Sequence, residues 1–257
     1  MSAGHGKFVW YELAARDAPA AQAFYARVLG WEAKDAGMEG FPYTILSAGP
    51  VPVAGLCPLA ALGGEGSAQP GWVGYIGVED VDAYAGRVQE SGGALLRKPE
   101  DIPGVGRFAV AADPHGAVFI LFRGSTEMAT GAPAGTPGHV GWHELYAGDG
   151  PGAFAFYSKL FGWTKADTMD MGAMGVYQLF AVDGVPVGGM MTRPPEVPAP
   201  FWLYYFNVES IEAAIRRTTE AGGKVIMGPA EVPGGSWIAQ ALDPQGVIFA
   251  MVAPVRG

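Results

Sequence analysis

Two glutamates are the first residues to weigh for chemistry. Glu12 and Glu144 each stand two residues after a tryptophan, Trp10 and Trp142, in the segments "WYEL" and "WHEL". Side chains alternate between the two faces of a strand, so each Trp–Glu pair shares a face while Tyr11 and Leu13 take the other. A carboxylate among aromatic rings has two physical readings. Its pKa can rise, which suits a general acid, a general base or a ligand anchor. Equally, it can serve as a buried acceptor for backbone or indole N–H groups, because a buried charge must be hydrogen-bonded. The residues leave both open.

Other chemistry-bearing residues are few. The four histidines are His5, His115, His139 and His143. His139 and His143 are four apart, and on a strand they would be separated by about 13 Å, too far to share an ion unless the chain bends. A solvated or hydrogen-bonded role is expected for each. Cys57 is the one cysteine, has no histidine near it in sequence, and reads as an ordinary buried thiol. Neither a phosphate-binding glycine loop, a G-x-S-x-G elbow nor an H-E-x-x-H helix is present.

These candidates sit in an internal repeat. The 22 residues from Trp10, "WYELAARDAPAAQAFYARVLGW", match those from Trp142 at an offset of 132, with 12 identities. "VPVAGL" from Val51 pairs with "VPVGGM" from Val185, "WVGYIGVEDV" from Trp72 with "WLYYFNVESI" from Trp202, and "ADPHGAVFIL" from Ala112 with "LDPQGVIFAM" from Leu242. Between the copies, Gly124–Gly138 is rich in Gly, Pro, Thr and Ala, which is linker composition. Domains over 1–128 and 129–257 are expected.

Within one copy, "FVWYEL" reads as a strand. Asp17 is then an N-cap, Pro19 lies in the first helical turn, and Ala21, Phe24, Tyr25, Val28 and Leu29 form one apolar helix face that ends at Gly30. Strands are expected at Tyr43–Ala48 and Val53–Pro58. The pattern restarts with "WVGYIGV", a helix through Val81, Tyr84, Ala85 and Val88 that stops at Gly92-Gly93, and strands near Ala94–Lys98, Arg107–Ala112 and Ala117–Phe122, the last two joined by the turn Asp113–Gly116. The expected fold class is α+β, with four βαβββ modules in two tandem domains.

Bulk properties bound the partners. The net charge is −9 with no Lys or Arg run, so nucleic acid and anionic membrane surfaces are unlikely partners. The 49% apolar content is ample for packed cores, and the 40 Gly and 21 Pro fall singly between apolar runs as turn punctuation. No disulfide is possible within the chain, and neither a signal peptide nor a long apolar run is seen, so a cytoplasmic protein is expected.

The module order, the "FY…GW" helix end, the "V-[ED]-[DS]-[VI]" step and the "DPxG" turn resemble the vicinal-oxygen-chelate superfamily, which includes glyoxalase I, bleomycin-binding proteins and extradiol dioxygenases. The resemblance spans nearly the whole chain. It implies two cupped mixed sheets, each with a metal held by residues on the first, fifth and eighth strands. Aligned by distance from the motifs, those positions fall on Trp10, Val73 and Ile120, and on Trp142, Leu203 and Ala250. None of these ligates a cation, so no metal cofactor is expected at the inherited site, and a divalent ion at a non-inherited one stays open. The same alignment puts Trp10, Glu12, Trp142 and Glu144 on the inner face with Tyr75, Tyr205 and Asn207, and turns Trp72, Trp202, Tyr204 and Phe206 toward the helices. An aromatic inner face with a few polar groups suits a small-molecule pocket, although aromatic residues in strands also serve simply as core. Arg107 and Trp237, at equivalent positions of the seventh strand, are further candidates. The loops "LGGEGSAQPG" and "TRPPEVPAP" are placed to act as lids.

Two functions follow from the resemblance. One is a metal-independent small-molecule binder that uses Trp10, Tyr75, Trp142, Tyr205 and Asn207. The other is an enzyme of glyoxalase (lyase), dioxygenase or hydroxylase-like type with Glu12 and Glu144 as catalytic groups. A monomer built as an internal pseudo-dimer is expected, with a further homodimer possible.

Overall fold

The computed structural model describes residues 4–62, 69–126 and 132–257. Its first copy runs β1 (Phe8–Ala15), α1 (Ala18–Leu29), β2 (Glu32–Asp35), β3 (Thr44–Ala48), β4 (Val51–Pro58), then β5 (Gly71–Gly77), α2 (Val81–Glu90), β6 (Ala94–Ile102), β7 (Gly106–Ala112) and β8 (Val118–Gly124). The second copy repeats this order as β9 (Val140–Ala147), α3 (Gly150–Phe161), β10 (Thr164–Asp170), β11 (Val176–Val182), β12 (Val185–Thr192), β13 (Phe201–Asn207), α4 (Ile211–Glu220), β14 (Lys224–Glu231), β15 (Trp237–Leu242) and β16 (Ile248–Ala253). Four βαβββ modules are present, as the repeat predicts.

Helix entry follows the expected chemistry. The Asp17 carboxylate accepts from the Ala20 amide at 2.9 Å, proline sits in the first turn, and the helix closes on Gly30 at φ 73. Asp149 and Gly162 do the same for α3. Ala21, Phe24, Tyr25 and Val28 are the buried face of α1. The second helix ends one residue earlier than the glycine pair suggested, with its cap at Ser91 and the turn completed by Gly92 at φ 87. β2 is short and mostly exposed, "EAKD", and lacks the apolar alternation that would announce it.

Each copy forms one eight-stranded mixed sheet, in the order β2-β3-β4-β1-β5-β8-β7-β6 and β10-β11-β12-β9-β13-β16-β15-β14. β1 runs parallel to β4 and pairs Glu12 with Gly55, and β9 runs parallel to β12 and pairs Glu144 with Gly189. β5 and β8 are parallel, with Tyr75 opposite Ile120, and Tyr205 stands likewise opposite Ala250.

The compact bodies do not coincide with the copies. One gathers α1 and β2–β4 with α4 and β14–β16, and the other gathers α2 and β6–β8 with α3 and β10–β12. Within the first, the Phe24 ring meets Phe249 edge-on at 5.6 Å, and Arg217 donates to the Val28 carbonyl at 3.0 Å. Gln245 closes a two-way contact with Asp17, accepting from its amide at 2.8 Å and donating to its carbonyl at 2.9 Å. Within the second, Phe119 meets Phe156 and Tyr157 of α3. Each helix therefore packs on a module of the other copy.

The expected domain boundary lies in 127–131, outside the described residues, as do residues 63–68 of the first suggested lid. Among the described residues, no helix is long and apolar enough to cross a membrane.

Candidate functional site

The site grows from one face of β1. Strand alternation puts Trp10 and Glu12 together, and the parallel partner β4 adds Gly55 directly opposite Glu12 with Cys57 two residues on. Leu13, on the other face, is fully buried, and the Tyr11 ring meets Tyr204 at 5.2 Å. Gly55 leaves a gap on the Glu12 side of the sheet. The hydroxyl of Tyr43, just ahead of β3, fills it, since a Cβ on Gly55 would collide with that oxygen.

The polar atoms here are linked to one another. The Trp10 indole N–H donates to the Tyr43 hydroxyl at 3.0 Å. Tyr43 in turn hydrogen-bonds Glu12, and the Cys57 thiol donates to Glu12 Oε1 at 3.7 Å. Burial raises the pKa of both Tyr43 and Cys57, and the neighbouring Glu12 charge raises them further, so both keep their protons. Cys57 is completely buried, which matches the reading as an inert thiol, but it also serves as a donor to the carboxylate.

The second copy repeats the seat. Gly189 lies opposite Glu144, and a Cβ on Gly189 would collide with the ring and hydroxyl of Tyr177. Glu144 is buried like Glu12, at 7% and 8% exposure. Met191 stands in the place of Cys57 and has no proton to offer.

The remaining candidates divide. Tyr75 is buried with its ring against Phe122. The Tyr205 hydroxyl accepts from the buried Gln240 amide at 2.9 Å. Asn207 is buried at the end of β13, where its side chain occupies the space beside Gly141 and its backbone bonds His139 and Gly138. Trp10 and Trp142 are half-buried. Trp72 and Trp202 face helices, donating to Tyr25 at 3.0 Å and Tyr157 at 3.1 Å. Arg107 is spent on Asp82 and Asp101, at 2.6 and 3.0 Å on the surface, and Trp237 lies under the Arg256 guanidinium. Of the second loop, Arg193 bonds back to Ala147 through its amide and to Val197 through its guanidinium.

The histidines occupy separate settings. His143 is buried, stacked on Phe8 at 4.1 Å, and its Nδ1–H donates to the Val187 carbonyl at 2.7 Å. Burial pushes its pKa down to about 4. His5 meets the Tyr84 hydroxyl, His139 meets the Pro137 carbonyl, and His115 lies against Gly148. Among the described residues, no group of three or more His, Cys, Asp or Glu side chains is placed to hold a metal ion. The positions the resemblance assigns to metal ligands carry indole and hydrocarbon, so the residues present do not fit such an ion.

Tyr43, Tyr177, Gly55, Gly189 and Gln240 were not singled out by sequence reasoning. A signal existed for four of them. The glycines lie inside the matched "VPVAGL" and "VPVGGM" segments, and the tyrosines keep the same offset as those segments.

The fold and the duplicated seat agree with a family match. The model of the Glyoxalase/Bleomycin resistance protein/Dioxygenase superfamily matches residues 7–121 and 136–251, and the chain belongs to that superfamily. Among its relatives is the anthracycline biosynthesis protein DauV of Streptomyces sp. (strain C5), 35% identical over 264 residues, with 96% of this chain and 93% of DauV covered. The putative glyoxylase CFP32 of Mycobacterium bovis is 33% identical over 95% of this chain and 94% of its own length. Similar solved structures include the Mn(II)-bound glyoxalase of Novosphingobium aromaticivorans, with TM-score 0.66 and 17% identity over 96% of this chain and 81% of that one. Another is the 2,2',3-trihydroxybiphenyl 1,2-dioxygenase of Sphingomonas wittichii, with TM-score 0.66 and 14% identity over 96% and 89%. At these identities the structures establish the fold.

Proposed function

We propose that the chain binds a planar aromatic small molecule against the inner faces of its sheets, without the metal that the fold holds in relatives such as the Mn(II) glyoxalase. The observation that carries this reading is the half-buried Trp10, an aromatic surface at the first ligand position, joined to a fixed polar group through Tyr43 and Glu12. An apolar, aromatic wall with a few placed polar atoms is the usual make-up of a small-molecule site. The ligand class follows from the relatives DauV and DnrV, both named for anthracycline biosynthesis.

Metal analysis and ligand titration test this together. Protein purified without chelator is expected to carry far less than one transition ion per chain. It is expected to quench the fluorescence of an added anthracycline saturably, with the same Kd before and after chelation. A stoichiometric ion whose removal abolishes binding overturns the metal-free reading, and absence of saturable binding overturns the ligand class.

A further inference from the structure

Three of the chain's ten methionines, Met169, Met171 and Met174, fall within six residues at the end of β10 and in the turn after it. Methionine is ordinarily a buried side chain. Here Met171 and Met174 are 39% and 49% exposed, and Met169 is half-buried.

Strand register fixes the face they occupy. Gly189 of β12 pairs with Glu144 on one side and with Leu179 on the other, and Tyr177 lies two residues from Leu179. Paired residues, and residues two apart on one strand, share a face of the sheet. Met169 pairs with Tyr177 and so stands on the Glu144 face. Met171 continues the alternation, its amide donating to the Gly175 carbonyl at 2.8 Å. On the same face Tyr177 and Met191 are closed to solvent, at 6% exposure each. Solvent therefore reaches this face at its methionine end.

We propose that Met169 and Met171 form the surface against which the flat face of the aromatic ligand lies in the second copy, and that this copy binds it more tightly than the first. This deepens the reading above and rests on it. A thioether sulfur is polarizable and makes favourable contacts with aromatic rings, and the unbranched side chain adapts its shape to the ring it meets. Accessible apolar side chains next to the buried Glu144 supply the wall that a small-molecule site needs.

The first copy lacks half of this surface. Asp35 pairs with Thr44, and the Ala36 amide donates to the Tyr43 carbonyl at 2.9 Å, so Ala36 stands opposite Tyr43 as Met169 stands opposite Tyr177. Met38 follows two residues later, in the place of Met171. The missing thioether contact and its apolar area correspond to about tenfold in affinity.

Titration of the wild-type protein with a hydroxyanthraquinone is expected to resolve two steps whose Kd values differ about tenfold. Met169→Ala/Met171→Ala is expected to weaken the tighter step about tenfold or more and to leave the weaker one unchanged. Ala36→Met, at an exposed position of the first copy, is expected to strengthen the weaker step about threefold or more. Footprinting locates the probe on the unaltered chain. Hydrogen peroxide converts accessible thioethers to sulfoxides, and saturating probe is expected to slow this at Met169 and Met171, read by peptide mass spectrometry. Two wild-type steps of equal Kd, a tighter step that survives in the Ala variant, or a weaker step indifferent to Ala36→Met overturns this proposal alone. So does bound probe that leaves both methionines unprotected. Failure of the wild type to bind the probe overturns it together with the ligand class on which it rests.

Discussion

At the scale of residues, burial decides the protonation state of His143. His143 is held neutral, its pKa pushed down to about 4. The unfolded chain binds that proton near pH 6.5, so between these values the unfolded state is the more protonated and stability rises with pH. The contribution is complete above about pH 6.5 and is lost as pH falls toward 4. Thermal melts across this window are expected to show a falling Tm, and His143→Phe is expected to flatten the slope. Cys57 yields a second expectation. Its thiol is buried, keeps its proton and is hydrogen-bonded, so a thiol reagent should leave the native protein untouched over hours and label it at once in denaturant. Rapid native labelling would show that β4 opens locally. Gly55→Ala should separate folding from binding. The added methyl costs no helix or turn, yet it displaces the Tyr43 hydroxyl, so ligand affinity should drop by an order of magnitude or so, about 1.4 kcal/mol, while the fold persists.

Among the elements, legibility follows from how local the determining force is. Helix α1 could be read in full, because its cap, its proline, its apolar face and its terminal glycine all lie within 14 residues. Asp17→Ala is accordingly expected to cost about 1 kcal/mol of stability, measured by denaturant melts. Strand β2 carries no comparable signal, since its pairing with β3 supplies backbone bonds that polar side chains do not advertise. The site was half legible. Period-two alternation put Trp10 beside Glu12, but no local rule brings Tyr43 over Gly55. That contact depends on β4 lying between β3 and β1, a question of topology. Nor does sequence spacing reveal that Cys57 would face Glu12, 45 positions away.

For the molecule as a whole, the helices decide how the copies depend on each other. The first copy's α1 rests on α4 and β16 from the second, and α2 rests on α3. Cleavage at a protease site inserted into 124–138 is therefore expected to leave two fragments that co-elute on a sizing column and melt in one transition. Separation of the fragments without denaturant would show that the interlocked helices contribute little. An isolated copy would expose Phe24, which is 3% exposed in the full chain, and would need a substitute for Phe249.

The Gln245–Asp17 contact carries a further consequence. In a dimer of identical subunits, every change at such a junction is made twice and must suit both sides. In one chain with two copies it is made once. The equivalent corner of the other body accordingly holds His115 against Gly148 where this one holds Gln245 against Asp17. Fusion has thereby released each copy from being its own mirror, and the substitution of Met191 for Cys57 beside the duplicated glutamate is the same freedom exercised at the site. Two seats of the same origin in one chain are free to drift apart.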